Sequence, residues 1–184
     1  MKVFLIHGAY GHPEENWFPW LKQKLEEAGW DVFVPTFPTP ENQNLENWQK
    51  AFKKYLPEVD EQSIFIGHSL GPAFILSIVE DLEIEIPACF FVSGFTGNLN
   101  NLEFDTINHS IADKNFNWEN IKDHCKRFTL YHSDNDPYVP LAKAEALSEK
   151  LNATLHIIPN AGHFNVDSGY TEFPEILENI ELLN

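Results

Sequence analysis

The chain is poor in positive charge. It holds 12 Lys and Arg against 28 Asp and Glu, Arg127 is its only arginine, and the formal net charge at pH 7 is −16. Such a surface repels nucleic acid and anionic membranes. It also lacks guanidinium groups to clamp a phosphate-bearing substrate. Cysteine is scarce too: Cys89 and Cys125 are too few for a disulfide framework. Cys89 falls in an apolar stretch and reads as a small buried hydrophobe, in keeping with a reducing cytoplasm. No apolar run approaches the roughly eighteen residues of a membrane span. The N-terminus starts a core strand and shows no signal-peptide pattern. No two histidines stand at i, i+4 on a helix and no Cys/His cluster is present, so no metal is expected. The Walker-type and G-x-G-x-x-G glycine loops are missing, so neither a nucleotide nor any other cofactor is expected.

The 184 residues are 43% hydrophobic with 15 Phe, enough for one domain over residues 1–184 with a substantial core. Apolar runs near 2–6, 31–35, 63–67, 87–92, 127–132 and 153–158 read as strands. Between and after them, helical periodicity appears near 16–28, 45–56, 71–81, 140–151 and 172–183. Gly29 stops the first helix. This alternation implies a parallel sheet covered on both faces, a three-layer α/β/α sandwich. The polar stretch 93–126 has room for a short cap only. In it Phe95, Phe104, Phe116 and Trp118 either form a low apolar wall over a site or pack on the sheet.

The pattern that carries chemistry is Gly67-His68-Ser69-Leu70-Gly71, directly after the strand Ser63-Ile64-Phe65-Ile66. G-x-S-x-G occurs by chance as an ordinary turn. Between a buried strand and a helix it is a nucleophile elbow that raises the serine hydroxyl to the sheet edge. Pro72 fits the first helical turn, where its missing N–H costs nothing. An activated serine needs a base and an orienting acid, here in the chain order serine, acid, histidine. Strand 127–132 empties into Ser133-Asp134-Asn135-Asp136-Pro137-Tyr138-Val139-Pro140. Strand 153–158 empties into Pro159-Asn160-Ala161-Gly162-His163-Phe164. The acid is Asp134 or Asp136. Asp136 is favoured because Pro137 holds it extended, and Asp134 then shapes the loop. His163 is the base. His68 supports the elbow, His132 and His156 read as core or edge residues, and His109 and His124 as solvated ones. His7 and His12 bracket a first glycine loop, His7-Gly8-Ala9-Tyr10-Gly11. An oxyanion needs two backbone N–H donors. Leu70 is one; Ala9 or Tyr10 is the other, with Ala9 favoured because it follows the His-Gly pair.

The segments 7–11, 67–71 and 133–140, with Gly162-His163-Phe164-Asn165, resemble the small serine hydrolases of the retinoblastoma-binding-protein-nine type, a likeness that runs nearly end to end, and the tail Ser168-Gly169-Tyr170-Thr171-Glu172-Phe173-Pro174 looks like the bacterial branch in particular. The resemblance implies a compact α/β-hydrolase with strand order 2-1-3-4-5-6, a minimal cap, and Ser69, Asp136 and His163 as the triad. The resemblance itself identifies no substrate; the short cap leaves the site open and favours a small-molecule acyl substrate, so the expectation is a cytoplasmic carboxylesterase-like enzyme. Two alternatives remain. One is a protein-binding module on a hydrolase fold, and the other is a different acyl-transfer chemistry such as thioesterase, amidase or perhydrolase. The acyl group, leaving group and oligomeric state are not encoded in any recognisable pattern.

Overall fold

In the computed structural model, which describes residues 1–183, six strands form one sheet in the order β2-β1-β3-β4-β5-β6, every neighbouring pair parallel. They are β1 (Lys2–Ile6), β2 (Asp31–Phe33), β3 (Ser63–His68), β4 (Ala88–Val92), β5 (Phe128–Ser133) and β6 (Thr154–Ile158). The inner strands β3, β4 and β5 are buried along their whole length, as a sheet covered on both faces requires. Strand β2 stops at Phe33, short of the expected residue 35. It is an edge strand, and Pro35 has no N–H to continue a ladder.

Alternation along the strands divides the core in two. Val3, Leu5, Ile64, Ile66, Phe90 and Val92 face α1 (Phe18–Glu27) and α7 (Pro174–Glu181), meeting Phe18, Leu21, Leu25, Ile176 and Ile180. Phe4, Ile6, Phe65, Cys89, Phe91 and Leu130 face the other layer, which includes α2 (Leu45–Phe52), α3 (Gly71–Val79), α4 (Leu102–Ala112), α5 (Trp118–Asp123) and α6 (Leu141–Leu151). Each large side chain so enclosed contributes about 1.5–3 kcal/mol relative to exposure. Helix α3 is buried at all nine positions, which explains its almost wholly apolar sequence.

Helix starts follow local chemistry. Asn44 accepts from the Asn47 N–H at the start of α2, and Asn101 from the Glu103 and Phe104 N–H groups at the start of α4. Helix α2 ends at Phe52 and not at 56. Its last turn tightens to a Tyr55 N–H bond on Phe52 O, and a separate 3₁₀ turn at Leu56–Glu58 holds Pro57, which cannot extend an α-helix from behind. Among the described residues no helix is long and apolar enough to cross a membrane.

Candidate active site

Strand β3 runs into Ser69, whose φ is +58°, and α3 begins at Gly71. A left-handed serine is costly and persists only where its surroundings over-determine it. Here the Ser69 N–H bonds Val92 O at 2.9 Å, and β1 and its loop press on the turn from one side. A Cβ at Gly71 would lie 2.3 Å from Ile6 O, and one at Gly8 would lie 2.7 Å from Ser69 Cβ. Both glycines are therefore required for close approach of backbone, and together they bring the first glycine loop against the serine.

The acid loop after β5 delivers Asp136. Its Oδ2 accepts from His163 Nδ1 at 2.8 Å, and its Oδ1 accepts from the Tyr138 and Val139 N–H groups. A carboxylate is an acceptor only, so Nδ1 carries a proton, and in the neutral imidazole Nε2 is then the nitrogen with the lone pair. Burial works against the Asp136 carboxylate, but the His163 hydrogen bond and charge and the two backbone donors outweigh it. They hold its pKa below the ordinary 3.8. Ser69 lines the same cavity as His163, although no Ser69–His163 hydrogen bond forms among the described residues. Such contacts are often loose until substrate binds.

Asp134 does not reach His163. It belongs to a clamp that the sequence did not announce: Asp134 Oδ1, Ser133 Oγ and Asn135 Oδ1 accept from the consecutive N–H groups of Asn160, Ala161 and Gly162, at 2.8, 2.9 and 2.8 Å. Three residues of the acid loop thus fasten the histidine loop directly before His163. Beyond it, Trp17 Nε1 donates to Phe164 O at 3.1 Å. His68 Nε2 donates to His163 O at 2.8 Å, with the two rings 4.8 Å apart. Burial lowers the His68 pKa to about 3, so it stays neutral. His68 therefore does more than support its own elbow, since it also anchors the histidine loop.

The first glycine loop is held in the same manner. His7 is fully buried, accepts at Nε2 from the Phe37 N–H and bonds Gly8 O through Nδ1; burial lowers its pKa to about 4. The Tyr10 N–H is already used, bonding Thr39 Oγ1 at 2.6 Å.

Around Ser69 opens a cavity of about 400 Å³. Phe95, Leu99, Phe104, Tyr138 and Val139 give it an apolar wall. Near His163 it is polar, with Glu15, Asn16, Asn165 and Asp167. Burial raises the pKa of Glu15, a cavity residue with no motif to reveal it. The aromatic residues of the cap segment divide as the two readings allowed. Phe95 and Phe104 line the cavity, while Phe116 and Trp118 pack with each other, rings 5.3 Å apart, in the core. His109 is exposed beside Asp113, as expected. His124 is half-buried and not simply solvated: its Nδ1 bonds Val79 O at the end of α3, where a free carbonyl needs a partner. His132 is buried and bonds Val139 O, while its Nδ1 lacks a partner among the described residues.

Comparison with known proteins agrees with this architecture. The YdeN protein of Bacillus subtilis (strain 168) is 28% identical over 179 residues, covering 96% of this chain and 93% of that protein. The crystal structure of the B. subtilis ydeN gene product superposes with a TM-score of 0.91 over 99% of this chain and 97% of its own. Rat serine hydrolase RBBP9 is 25% identical over 167 residues, covering 90% of this chain and 85% of that one. A family profile described as serine hydrolase matches residues 3–181. The chain belongs to the serine hydrolase family.

Proposed function

We propose that this serine hydrolase is a carboxylesterase that cleaves small acyl esters in two steps through an acyl-enzyme. The observation that carries the reading is the 2.8 Å Asp136–His163 hydrogen bond, which presents Nε2 as a free base in the cavity that also holds the elbow serine. His163 Nε2 takes the Ser69 proton as Oγ attacks the ester carbonyl. The Leu70 and Ala9 N–H groups stabilise the oxyanion; Ala9 serves in the first glycine loop because the Tyr10 N–H is spent on Thr39. Collapse of the tetrahedral intermediate breaks the ester C–O bond, and His163 returns the proton to the departing alcohol. Water, deprotonated by His163, then attacks the acyl-enzyme and frees the acid and Ser69. No cofactor enters this sequence. Each oxyanion donor is worth on the order of 3 kcal/mol in the transition state.

The test is fluorophosphonate labelling combined with p-nitrophenyl ester kinetics. Ser69 is expected to label. Ser69→Ala and His163→Ala are each expected to lower turnover by several orders of magnitude, with the double variant losing little more because the residues act as a unit. Full activity in either single variant would refute the triad.

A further inference from the structure

A chain of hydrogen bonds runs from the first glycine loop into the cap. The Tyr10 N–H donates to Thr39 Oγ1, Thr39 Oγ1 donates to Gln43 Oε1, and Gln43 Nε2 donates to Asn108 Oδ1 at 2.7 Å and to Ile107 O at 3.0 Å. The direction of every link is forced. The Ile107 carbonyl can only accept, so the Gln43 end that meets it is the NH₂ group; the amide oxygen then faces Thr39, whose hydroxyl must donate to it while accepting from the Tyr10 N–H. Asn108 therefore accepts with Oδ1, and its Nδ2 is the remaining end. This removes the usual ambiguity of amide orientation.

Asn108 is 4% exposed, sits on α4 and lines the same cavity as Ser69. Its Nδ2 makes no hydrogen bond among the described residues, and it is not one of the fully enclosed side-chain atoms left without a partner, so it keeps access to the cavity space. Covering this donor without offering it a partner is costly, and Gln43 prevents the amide from turning away. The surroundings say what the donor is for. Its neighbours on the cavity wall, Phe95, Leu99 and Phe104, take hydrocarbon. No Lys or Arg lines the cavity, and Glu15 and Asp167 oppose an anion.

We propose that Asn108 is the specificity residue for the acyl group, its Nδ2 donating to a neutral oxygen carried along an otherwise apolar acyl chain, so that the preferred substrates are esters of oxo- or hydroxyacyl groups and not of plain alkanoyl groups. This rests on the esterase reading above and adds a substrate class to it. The physical basis is asymmetric recognition. An added methylene improves binding slightly, whereas an alkyl chain laid against the donor leaves a buried N–H unpaired.

The experiment compares isosteric pairs: p-nitrophenyl 4-oxopentanoate with pentanoate, and 5-oxohexanoate with hexanoate. The wild-type protein is expected to prefer the oxo ester in at least one pair by roughly tenfold or more in kcat/KM. Asn108→Asp keeps the acceptor for Gln43 in the same shape but removes the donor, and Asn108→Leu removes both. Each is expected to bring the oxo-to-alkyl ratio to about one or below, with thermal unfolding used to establish that each variant is folded. A ratio near one in the wild type, or a preference that survives Asn108→Asp, overturns the assignment while alkyl-ester turnover leaves the hydrolase reading standing. No turnover of any ester together with no fluorophosphonate labelling of Ser69 overturns the hydrolase reading and this proposal with it.

Discussion

Two aspartates stand two positions apart in the acid loop, and their different work is a matter of partners. Asp136 meets His163 and two backbone donors, while Asp134 holds the Asn160 N–H. Asp136→Asn should lower kcat/KM by roughly four orders of magnitude, because an amide at that place favours the wrong imidazole tautomer. Asp134→Asn keeps an acceptor oxygen for Asn160 and should cost less than about tenfold. Ester kinetics of the two variants decide the matter, and the opposite ranking would move the acid to Asp134. The sequence favoured Asp136 because Pro137 constrains the residue before it, and the structure brings that carboxylate to His163. The clamp formed by Ser133, Asp134 and Asn135 was not legible there, because its acceptors meet N–H groups 26 to 28 positions away.

At the scale of elements, the strand–elbow–helix unit is set by local chemistry but depends on a neighbour. Gly71 of α3 lies against the last carbonyl of β1, where a methyl group would stand 2.3 Å from Ile6 O. Backbone cannot yield as a flexible side chain does, so Gly71→Ala should destabilise the fold by roughly 3 kcal/mol, read from the urea midpoint at constant m. An unchanged midpoint would show that β1 and α3 can part without cost. The cap acts at the same scale. Helix α4 reaches the site through Phe104, whose ring lies 6.3 Å from Tyr10 and 5.9 Å from Tyr138, and through the Tyr10 hydroxyl bond to Glu103. With a cavity of about 400 Å³ and no larger lid, the gain of about 0.8 kcal/mol per buried CH₂ should stop after a few carbons. Specificity toward unsubstituted p-nitrophenyl esters is therefore expected to peak at about two to six acyl carbons, the chain lengths such a cavity can enclose. A steady rise to twelve or sixteen carbons would contradict it.

The whole molecule couples these buried groups to pH. His7 and His68 stay neutral in the fold down to about 4 and about 3, because burial opposes their charge, whereas in the unfolded chain both take up protons below 6.5. Between pH 6.5 and 4 the unfolded state therefore binds more protons, and stability falls as pH falls. With both sites contributing, the slope approaches roughly 2.7 kcal/mol per pH unit. Asp136 adds to the loss lower down. Its folded pKa lies below 3.8, so its contribution is complete above that value and disappears as pH drops through the folded pKa. Urea unfolding measured across this range should be flat above pH 6.5 and steep below it, and His68→Gln should reduce the slope by one proton's share, about 1.4 kcal/mol per pH unit. Constant stability down to pH 4 would show that neither histidine is held neutral.

By itself the sequence determined the layered parallel fold, the strand–turn–helix at Ser69, and the order in which the loops bearing Asp136 and His163 follow it at strand ends. These depend on periodicity, glycine and proline placement and strand-end loops, all of which are local or repeat along the chain. Only the tertiary structure decided that Tyr10 spends its N–H on Thr39, that His68 anchors the histidine loop, that His124 bonds the end of α3, and that Gln43 holds Asn108 by its amide oxygen at the wall of the cavity. Each of these is a hydrogen bond between segments distant in sequence. An amide or imidazole reads the same along a chain whether solvent, a carbonyl or a substrate will satisfy it, and only packing determines which of them is within reach.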